Sequence, residues 1–167
     1  MNTATIEQNQ VKYVPAGTGP MYCGVGDRVS FLATGAETQG SFFMAEGLAT
    51  PGGGPPPHFH HFEDESFFIL EGAVTFKAGG QTIYAKVGDF LHIPRGTVHS
   101  FKNEGKVSAR AIVIISPAGP TGMQQFFEEA FYPTTDRSAS PPPINQDIVQ
   151  RMLAASEKNG LEFLKPA

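Results

Sequence analysis

The sequence predicts an all-β fold, an antiparallel sandwich or small barrel, and three observations support this. Short β-rich segments separated by Gly, Pro and Asp run from about residue 11 to residue 116. A Gly-Gly pair in AGGQ, Gly79 and Gly80, lies between two of these segments and predicts a tight hairpin. In the last segment every second residue is apolar, which indicates a strand with one face in the core.

The predicted strands follow one another as a meander. In chain order, the segments are DRVSFLATG, GSFFMAEGLA, SFFIL, AVTFKAGGQTIYAKVGD, FLHIPRG, VHSFKN and VSARAIVIIS. The core face of the last segment is predicted to carry Val107, Ala109, Ala111, Val113 and Ile115. With 14 Phe and no Trp, the interior should be apolar, and a few strand phenylalanines are candidates for a flat pocket that binds an aromatic ligand. The strand phenylalanines are Phe42, Phe43, Phe67, Phe68, Phe76, Phe90 and Phe101, and most of them should lie in the core.

Two amphipathic helices are predicted after the last strand. TGMQQFFEEAFY has apolar residues at helical spacing, and the polar connector PTTDRSASPPP follows it. The second helix, INQDIVQRMLAASEKNG, ends at Gly160 and should pack back on the sheet. Its apolar stripe consists of Ile144, Ile148, Met152 and Ala155. This tail is either a lid over the barrel mouth or a cap over an apolar surface, and the cap is favoured because amphipathic stripes usually serve packing.

Composition and charge narrow the classes of function. A chain of 167 residues with 40% hydrophobic and 17% charged residues suits one soluble domain. No apolar run approaches a membrane span and the first residues do not resemble a leader, so we expect a cytoplasmic protein without a membrane partner. The net charge of -4 argues against nucleic acid, and a single cysteine, Cys23, excludes a thiolate zinc cluster. Phosphate-loop, serine-nucleophile and solenoid-repeat patterns are absent.

A histidine cluster is the main chemical signal in the sequence. His58 and His60 are two residues apart in a predicted strand, so they share a face, and His61 points away. Glu65 follows on the return strand and can add a carboxylate oxygen to two imidazole nitrogens. A fourth ligand is needed, and GDFLHIPRGTVHSFKN supplies His99 at the end of a strand, turn and return.

Two spaced motifs contain these four residues. They are Gly52-x5-His58-x-His60-x4-Glu65-x6-Gly72 and Gly88-x5-Pro94-x-Gly96-x2-His99-x3-Asn103, and together they resemble both motifs of the cupin superfamily without a gap. The resemblance implies a double-stranded β-helix, or jelly-roll barrel, in one domain over residues 1–167. The barrel core would cover about 20–118 and the helical extension about 121–164. It also implies that His58, His60, Glu65 and His99 bind one divalent transition metal, Ni, Mn, Fe or Co, with Zn and Cu as alternatives.

Other polar residues near the motifs are not predicted to be ligands: His61, Glu63, Asp64, His92, Arg95 and Asn103. His61 is expected to be exposed or to lie just behind the ligands. Glu63 and Asp64 should form a solvated turn that adds negative potential near the ion. His92 faces either the cavity or the outside, and Arg95 and Asn103 should hold the turn around His99.

The chain also resembles, more narrowly, single-domain bacterial cupins similar to quercetin 2,3-dioxygenase. This resemblance implies that dioxygen cleaves a flavonol or a similar enol-containing aromatic compound, with Glu65 as the catalytic base. One alternative is an oxygen-independent, metal-dependent isomerase, lyase or decarboxylase, and another is a non-catalytic cupin that binds a small molecule. A homodimer is also open, formed through a barrel edge or an apolar N-terminal strand near Val11–Val14.

Overall fold

Two antiparallel sheets make up most of the computed structural model, which describes residues 11–138, 141–142 and 145–164. The strands are β1 (Met21–Gly24), β2 (Asp27–Ala33), β3 (Phe43–Ala49), β4 (His58–His60), β5 (Asp64–Glu71), β6 (Ala73–Ala78), β7 (Gln81–Lys86), β8 (Phe90–Ile93), β9 (His99–Lys102), β10 (Ala109–Ser116), β11 (Tyr132–Thr134) and β12 (Leu161–Phe163). The helices are α1 (Met123–Ala130) and α2 (Gln146–Lys158).

The strand order is that of a double-sheet barrel. One sheet has the order β11-β1-β2-β3-β10-β5-β8 and the other has the order β12-β4-β9-β6-β7. Neighbouring strands are antiparallel, and β10 in the first sheet pairs with both β3 and β5. The predicted all-β fold class with a short helical extension is therefore confirmed.

Local patterns explain the central strands. Gly79 and Gly80 have φ angles of 56° and 80°, which close the predicted β6–β7 hairpin at little steric cost. In β10, Ala109, Ala111 and Ile115 are buried, as the alternation predicts. The prediction for Val107 is wrong, because β10 begins only at Ala109 and Val107 is 69% exposed in the preceding loop.

The phenylalanines divide between the interior and the outer surface. Phe43, Phe67 and Phe76 are buried in the core. Phe68 and Phe90 pair across β5 and β8 and are 43% and 62% exposed, so they lie on the outer face of the larger sheet. Side chains alternate along a strand, so of two consecutive phenylalanines, such as Phe67 and Phe68, only one can point inward.

The C-terminal extension is more closely integrated with the barrel than predicted. α2 packs mainly on α1 and β12, rather than directly on the predicted strands. β11 and β12, which the sequence analysis does not predict, add an edge strand to each sheet. Ile148 and Ala155 of the predicted α2 stripe are buried, whereas Ile144 lies outside the described residues, as does part of the predicted connector.

The N-terminal segment does not form the predicted strand. Residues 11–14 have no strand pairing, and Val11 and Tyr13 are 96% and 83% exposed. The first strand begins only at Met21, after the turn at residues 16–17. Within the described ranges, neither helix has the combined length and apolar content of a membrane-crossing helix.

Candidate metal centre and its cavity

Three histidines of the smaller sheet meet one glutamate of the larger sheet. β4 lies between β12 and β9, and its residue His58 is directly opposite His99 of β9. His60 has the same orientation as His58 because it is two residues further along the strand. Glu65 lies on β5, where it pairs with Ile93 and Ile115. The four predicted ligand residues are therefore brought together between the two sheets.

The distances within this cluster suit a single ion. One ligand atom from each of the four residues lies within 4.8 Å of all the others, and all four side chains are buried. Glu65 Oε2 is 2.9 Å from His99 Nε2 and 3.5 Å from His60 Nε2. Two ligands at right angles, each about 2.1 Å from one ion, are about 3.0 Å apart, and opposite ligands are about 4.2 Å apart. Small side-chain movements would thus be enough for the four atoms to share one ion.

Backbone carbonyls orient two of the imidazole rings. His58 Nδ1 donates to the carbonyl of Pro56 at 2.9 Å, and His99 Nδ1 donates to the carbonyl of Thr97 at 2.9 Å. Donation from Nδ1 leaves the Nε2 lone pair of a neutral ring free to bind a metal. Among the described residues, His60 Nε2 is buried without a hydrogen-bond partner. The donor set therefore fits a divalent transition metal that prefers nitrogen and oxygen ligands.

The protonation states of the cluster follow from burial and close contact. Burial lowers the pKa of His58 to about 4. Burial alone would also lower the pKa of His60, but Glu63 and Glu65 raise it to about 9. Burial would raise the pKa of Glu65, whereas its close contacts with the imidazoles of His60 and His99 bring that pKa well below its usual range. Glu65 is therefore a carboxylate at neutral pH, which is the form that binds a cation.

Glu63 lies inside the protein, so the prediction of a solvated position is wrong. It is 4% exposed, and its Oε2 accepts a hydrogen bond of 2.9 Å from the backbone amide of Met123, the first residue of α1. A carboxylate at this position accepts a hydrogen bond from an amide that has no partner within the helix, and it interacts favourably with the positive end of the helix dipole. Glu63 Oε2 is also 3.8 Å from His60 Nδ1. Glu63 thus links the candidate metal centre to the C-terminal extension.

Four other polar residues named from the sequence lie at or near the surface. His61 is exposed beside Glu162, and His92 is exposed with its Nδ1 2.9 Å from Ser66 Oγ, so His92 faces outward. Asp64 accepts hydrogen bonds from the backbone and side chain of Arg95. That pair joins the start of β5 to the turn before His99.

Asn103 stabilises the chain after β9 from a buried position. Its Nδ2 donates to the carbonyls of Ala49 and Val107, at 2.9 and 2.8 Å, and its Oδ1 accepts from the amide of Gly105. These bonds shape the 103–107 loop and join it to β3. Asn103 therefore has a structural role. It follows the end of β9 that is opposite to His99, so it stabilises this loop and not the turn before His99.

A largely apolar cavity of about 110 Å³ adjoins the candidate metal centre. Both His58 and Glu65 line it. Barrel residues and residues of the C-terminal extension form its walls, and the aromatic ones are Phe67, Phe76, Phe101, Phe126, Phe127, Phe131 and Phe163. The extension thus covers an apolar surface and also forms a wall of the cavity. This arrangement does not decide between the predicted cap and the predicted lid.

Two contributions to this site are not predicted from the sequence. β12 pairs with β4, with Leu161 opposite His60 and Phe163 opposite His58, so the C-terminal strand holds the strand that carries two histidines. Asp27, at the start of β2, lines the cavity with a carboxylate. Asp27 shares a strand face with Val29 and Phe31, so the alternation in the sequence could have shown that Asp27 points inward.

Comparisons with known proteins agree with the fold and the motifs. A family model described as a cupin domain matches residues 48–115. Quercetin 2,3-dioxygenase of Bacillus subtilis is 31% identical over 61% of this chain, which spans only 33% of that relative. The tetracenomycin polyketide synthase protein TcmJ of Streptomyces glaucescens is 26% identical over 72% of this chain and 84% of its own length. The structure of KdgF from Halomonas sp. matches with a TM-score of 0.58 and 16% identity, over 66% of this chain and 96% of that chain. With both motifs in place on a double-sheet barrel, the chain belongs to the cupin superfamily.

Proposed function

We propose that the protein is a metal-dependent dioxygenase that cleaves a flavonol or a similar enol-containing aromatic compound. The observation that carries the proposal is the position of the four buried ligand groups at the wall of an aromatic cavity. A substrate in this cavity would lie directly beside the ion. The similarity to quercetin 2,3-dioxygenase supports this reaction class, although the chain spans only a third of that relative.

The proposed metal ligands are His58, His60, Glu65 and His99. A divalent Ni, Mn, Fe or Co ion, or alternatively Zn or Cu, would have one or two further positions open. When bound, such an ion lowers the pKa of a coordinated hydroxyl group and stabilises the resulting anion. The chain supplies the ligand geometry by fixing two imidazole rings through the carbonyls of Pro56 and Thr97.

Glu65 is the proposed catalytic base. Its carboxylate is charged at neutral pH, lines the cavity and is held by His99 at 2.9 Å. It can therefore accept the proton of an enol hydroxyl group on a substrate in the cavity. The apolar walls exclude water, which favours transfer of that proton to Glu65 over exchange with solvent.

The cavity limits the size of the substrate. Its volume of about 110 Å³ is below the roughly 300–1,000 Å³ of pockets that bind drug-sized molecules. An apolar cavity of roughly 150 Å³ in another protein holds benzene. A compound with a single ring therefore suits the cavity as it stands, and a flavonol requires the walls to move apart.

Oxygen uptake tests the proposal. Protein reconstituted separately with Mn, Fe, Co and Ni is mixed with a flavonol and with smaller enol-bearing aromatic compounds, and dioxygen consumption is measured per bound metal. The Glu65→Gln variant should lose at least about a hundredfold of the rate, because it lacks the base. Glu157→Gln, an exposed carboxylate on α2, is the matched control and should retain the wild-type rate. Metal-loaded protein that consumes no dioxygen with any compound would refute the proposal.

A second candidate is an oxygen-independent isomerase, lyase or decarboxylase that uses the same four residues. TcmJ, which matches over 84% of its own length, is named as a polyketide synthase protein, so the similarity of this chain is not confined to a dioxygenase. Conversion of an enolisable aromatic compound under strictly anaerobic conditions would support it. If metal-loaded protein binds such compounds but converts none, with or without dioxygen, the chain is a non-catalytic binding cupin.

A further inference from the structure

Asp27 is a carboxylate in the cavity that the proposed reaction does not use. It is the first residue of β2 and pairs with Gly24 of β1 and Ala49 of β3, both of which are uncharged. Alternation along β2 gives it the same inward orientation as Val29 and Phe31, which belong to the buried core. Asp27 lines the same cavity as His58 and Glu65, among mainly apolar residues.

The carboxyl group of Asp27 differs from the two buried glutamates near the site in its hydrogen bonding. Its Oδ1 is buried and has no hydrogen-bond partner within the described residues. By contrast, the buried Glu63 accepts a helix amide, and Glu65 lies against two histidines. An unpaired buried polar atom is costly, and native proteins rarely retain one without a partner. A bound ligand would supply the hydrogen-bond partner that Asp27 Oδ1 lacks.

The backbone around Asp27 leaves space for its carboxylate. A Cβ atom at Gly53 would lie 3.0 Å from Asp27 Oδ1, so glycine at this position allows the loop to pass close by. On the other side, Val25 has a φ angle of 53° in the hairpin between β1 and β2. A β-branched residue is strained in this region, and such strain is often retained next to a ligand site.

We propose that Asp27 is a specificity-determining residue that binds a hydroxyl group of the substrate within the cavity. This inference rests on the proposed function insofar as the cavity is the substrate site. Burial raises the pKa of Asp27 to about 8, so the group is mostly a neutral acid at pH 7. A neutral carboxylic acid both donates and accepts a hydrogen bond, which matches a hydroxyl group of a substrate.

Phenol and toluene provide a test, because they have almost the same shape and only phenol has a hydroxyl group. Affinities of both are measured by calorimetry on metal-loaded wild-type protein and on the Asp27→Leu and Asp27→Asn variants. Any contact between phenol and the metal is common to all three proteins. Asp27→Leu should lower the affinity for phenol about tenfold and leave the affinity for toluene within about threefold of wild type, because only the partner of the hydroxyl group is lost. Asp27→Asn, which keeps a donor and an acceptor, should retain most of the phenol affinity.

The ratio of the two affinities decides the result. The inference would be overturned if the ratio of phenol to toluene affinity were the same in wild-type and Asp27→Leu protein, whether both affinities stay the same or both fall equally. Should Asp27→Leu fail to fold, the inference still requires Asp27→Asn to bind phenol within about threefold of wild type, and a larger loss overturns it. Oxygen uptake and metal content are recorded in parallel. An unchanged ratio with intact metal-dependent turnover contradicts only the role of Asp27, whereas a changed ratio without turnover contradicts only the dioxygenase proposal.

Discussion

Replacing Asp27 should stabilise the protein at neutral and alkaline pH, because its Oδ1 atom is buried and has no hydrogen-bond partner among the described residues. Burial raises its pKa from 3.8 to about 8, and no charged neighbour contributes to this change. One pKa unit corresponds to about 1.4 kcal/mol, so ionising Asp27 in the folded protein costs up to about 6 kcal/mol more than in the unfolded chain. Asp27→Leu removes this cost and also the unsatisfied oxygen.

The sign of the effect follows from proton binding. Between about pH 4 and pH 8 the folded protein holds the Asp27 proton and the unfolded chain releases it. The wild-type protein therefore has the full contribution of this group below about pH 4 and loses it as the pH rises to 8. Relative to wild type, Asp27→Leu should gain up to about 1.4 kcal/mol of unfolding free energy for each pH unit in this range.

Urea unfolding at pH 5, 6.5 and 8 measures this difference. Each variant is compared with wild type at the same pH and without metal, so that titration of the histidine cluster is common to both proteins. Asp27→Asn has the same shape as the wild-type residue and should show the same trend, whereas Glu157→Gln should show a difference near zero at every pH. A difference between Asp27→Leu and wild type that does not change with pH would refute the assignment of a buried, proton-retaining carboxyl group.

Three further variants test the surroundings of the candidate metal centre. His99→Ala should reduce bound metal, measured by mass spectrometry, from about one ion per chain to below about a tenth, while the exposed His92→Ala retains it. Glu63→Ala should lower the free energy of unfolding by about 1–3 kcal/mol, because the first amide of α1 loses its acceptor, and Glu63→Gln should lower it less. Leu161→Ala should cost about 2–5 kcal/mol and weaken metal binding, because β12 supports β4; unchanged metal binding would contradict that support.

Local sequence patterns account for the ligand cluster and most of the central strands. The spacing of His58 and His60 determines a common face, and the short turn before Glu65 returns the chain to the same region. The Gly79–Gly80 hairpin is likewise determined by residues within a few positions. Such features depend on the period of the strand and on turn chemistry, both of which are visible in a single sequence.

Features that depend on distant partners could not be predicted in the same way. Glu63 lies in the short connection between β4 and β5, where an exposed turn is expected, yet its partner, the amide of Met123, is sixty positions further along the chain. Strands β11 and β12 have three residues each, too few to show a period, and they form only because β1 and β4 offer free edges. Tertiary contacts at long range decide these elements.

The C-terminal extension contributes both to the wall of the cavity and to the support of the candidate metal ligands. Its helix α1 contributes Phe126 and Phe127 to the cavity wall, and its strand β12 pairs with the strand that bears His58. A substrate larger than the cavity can gain space by displacing the side chains of Phe126 and Phe127, which pack by apolar contacts, while the hydrogen bond from the Met123 amide to Glu63 holds the start of α1. Displacing β12 would instead break backbone hydrogen bonds to β4 and disturb the histidines. If the cavity binds substrate, adaptation to larger substrates should therefore occur at the aromatic side chains of α1, while β12 and the candidate metal ligands stay in place.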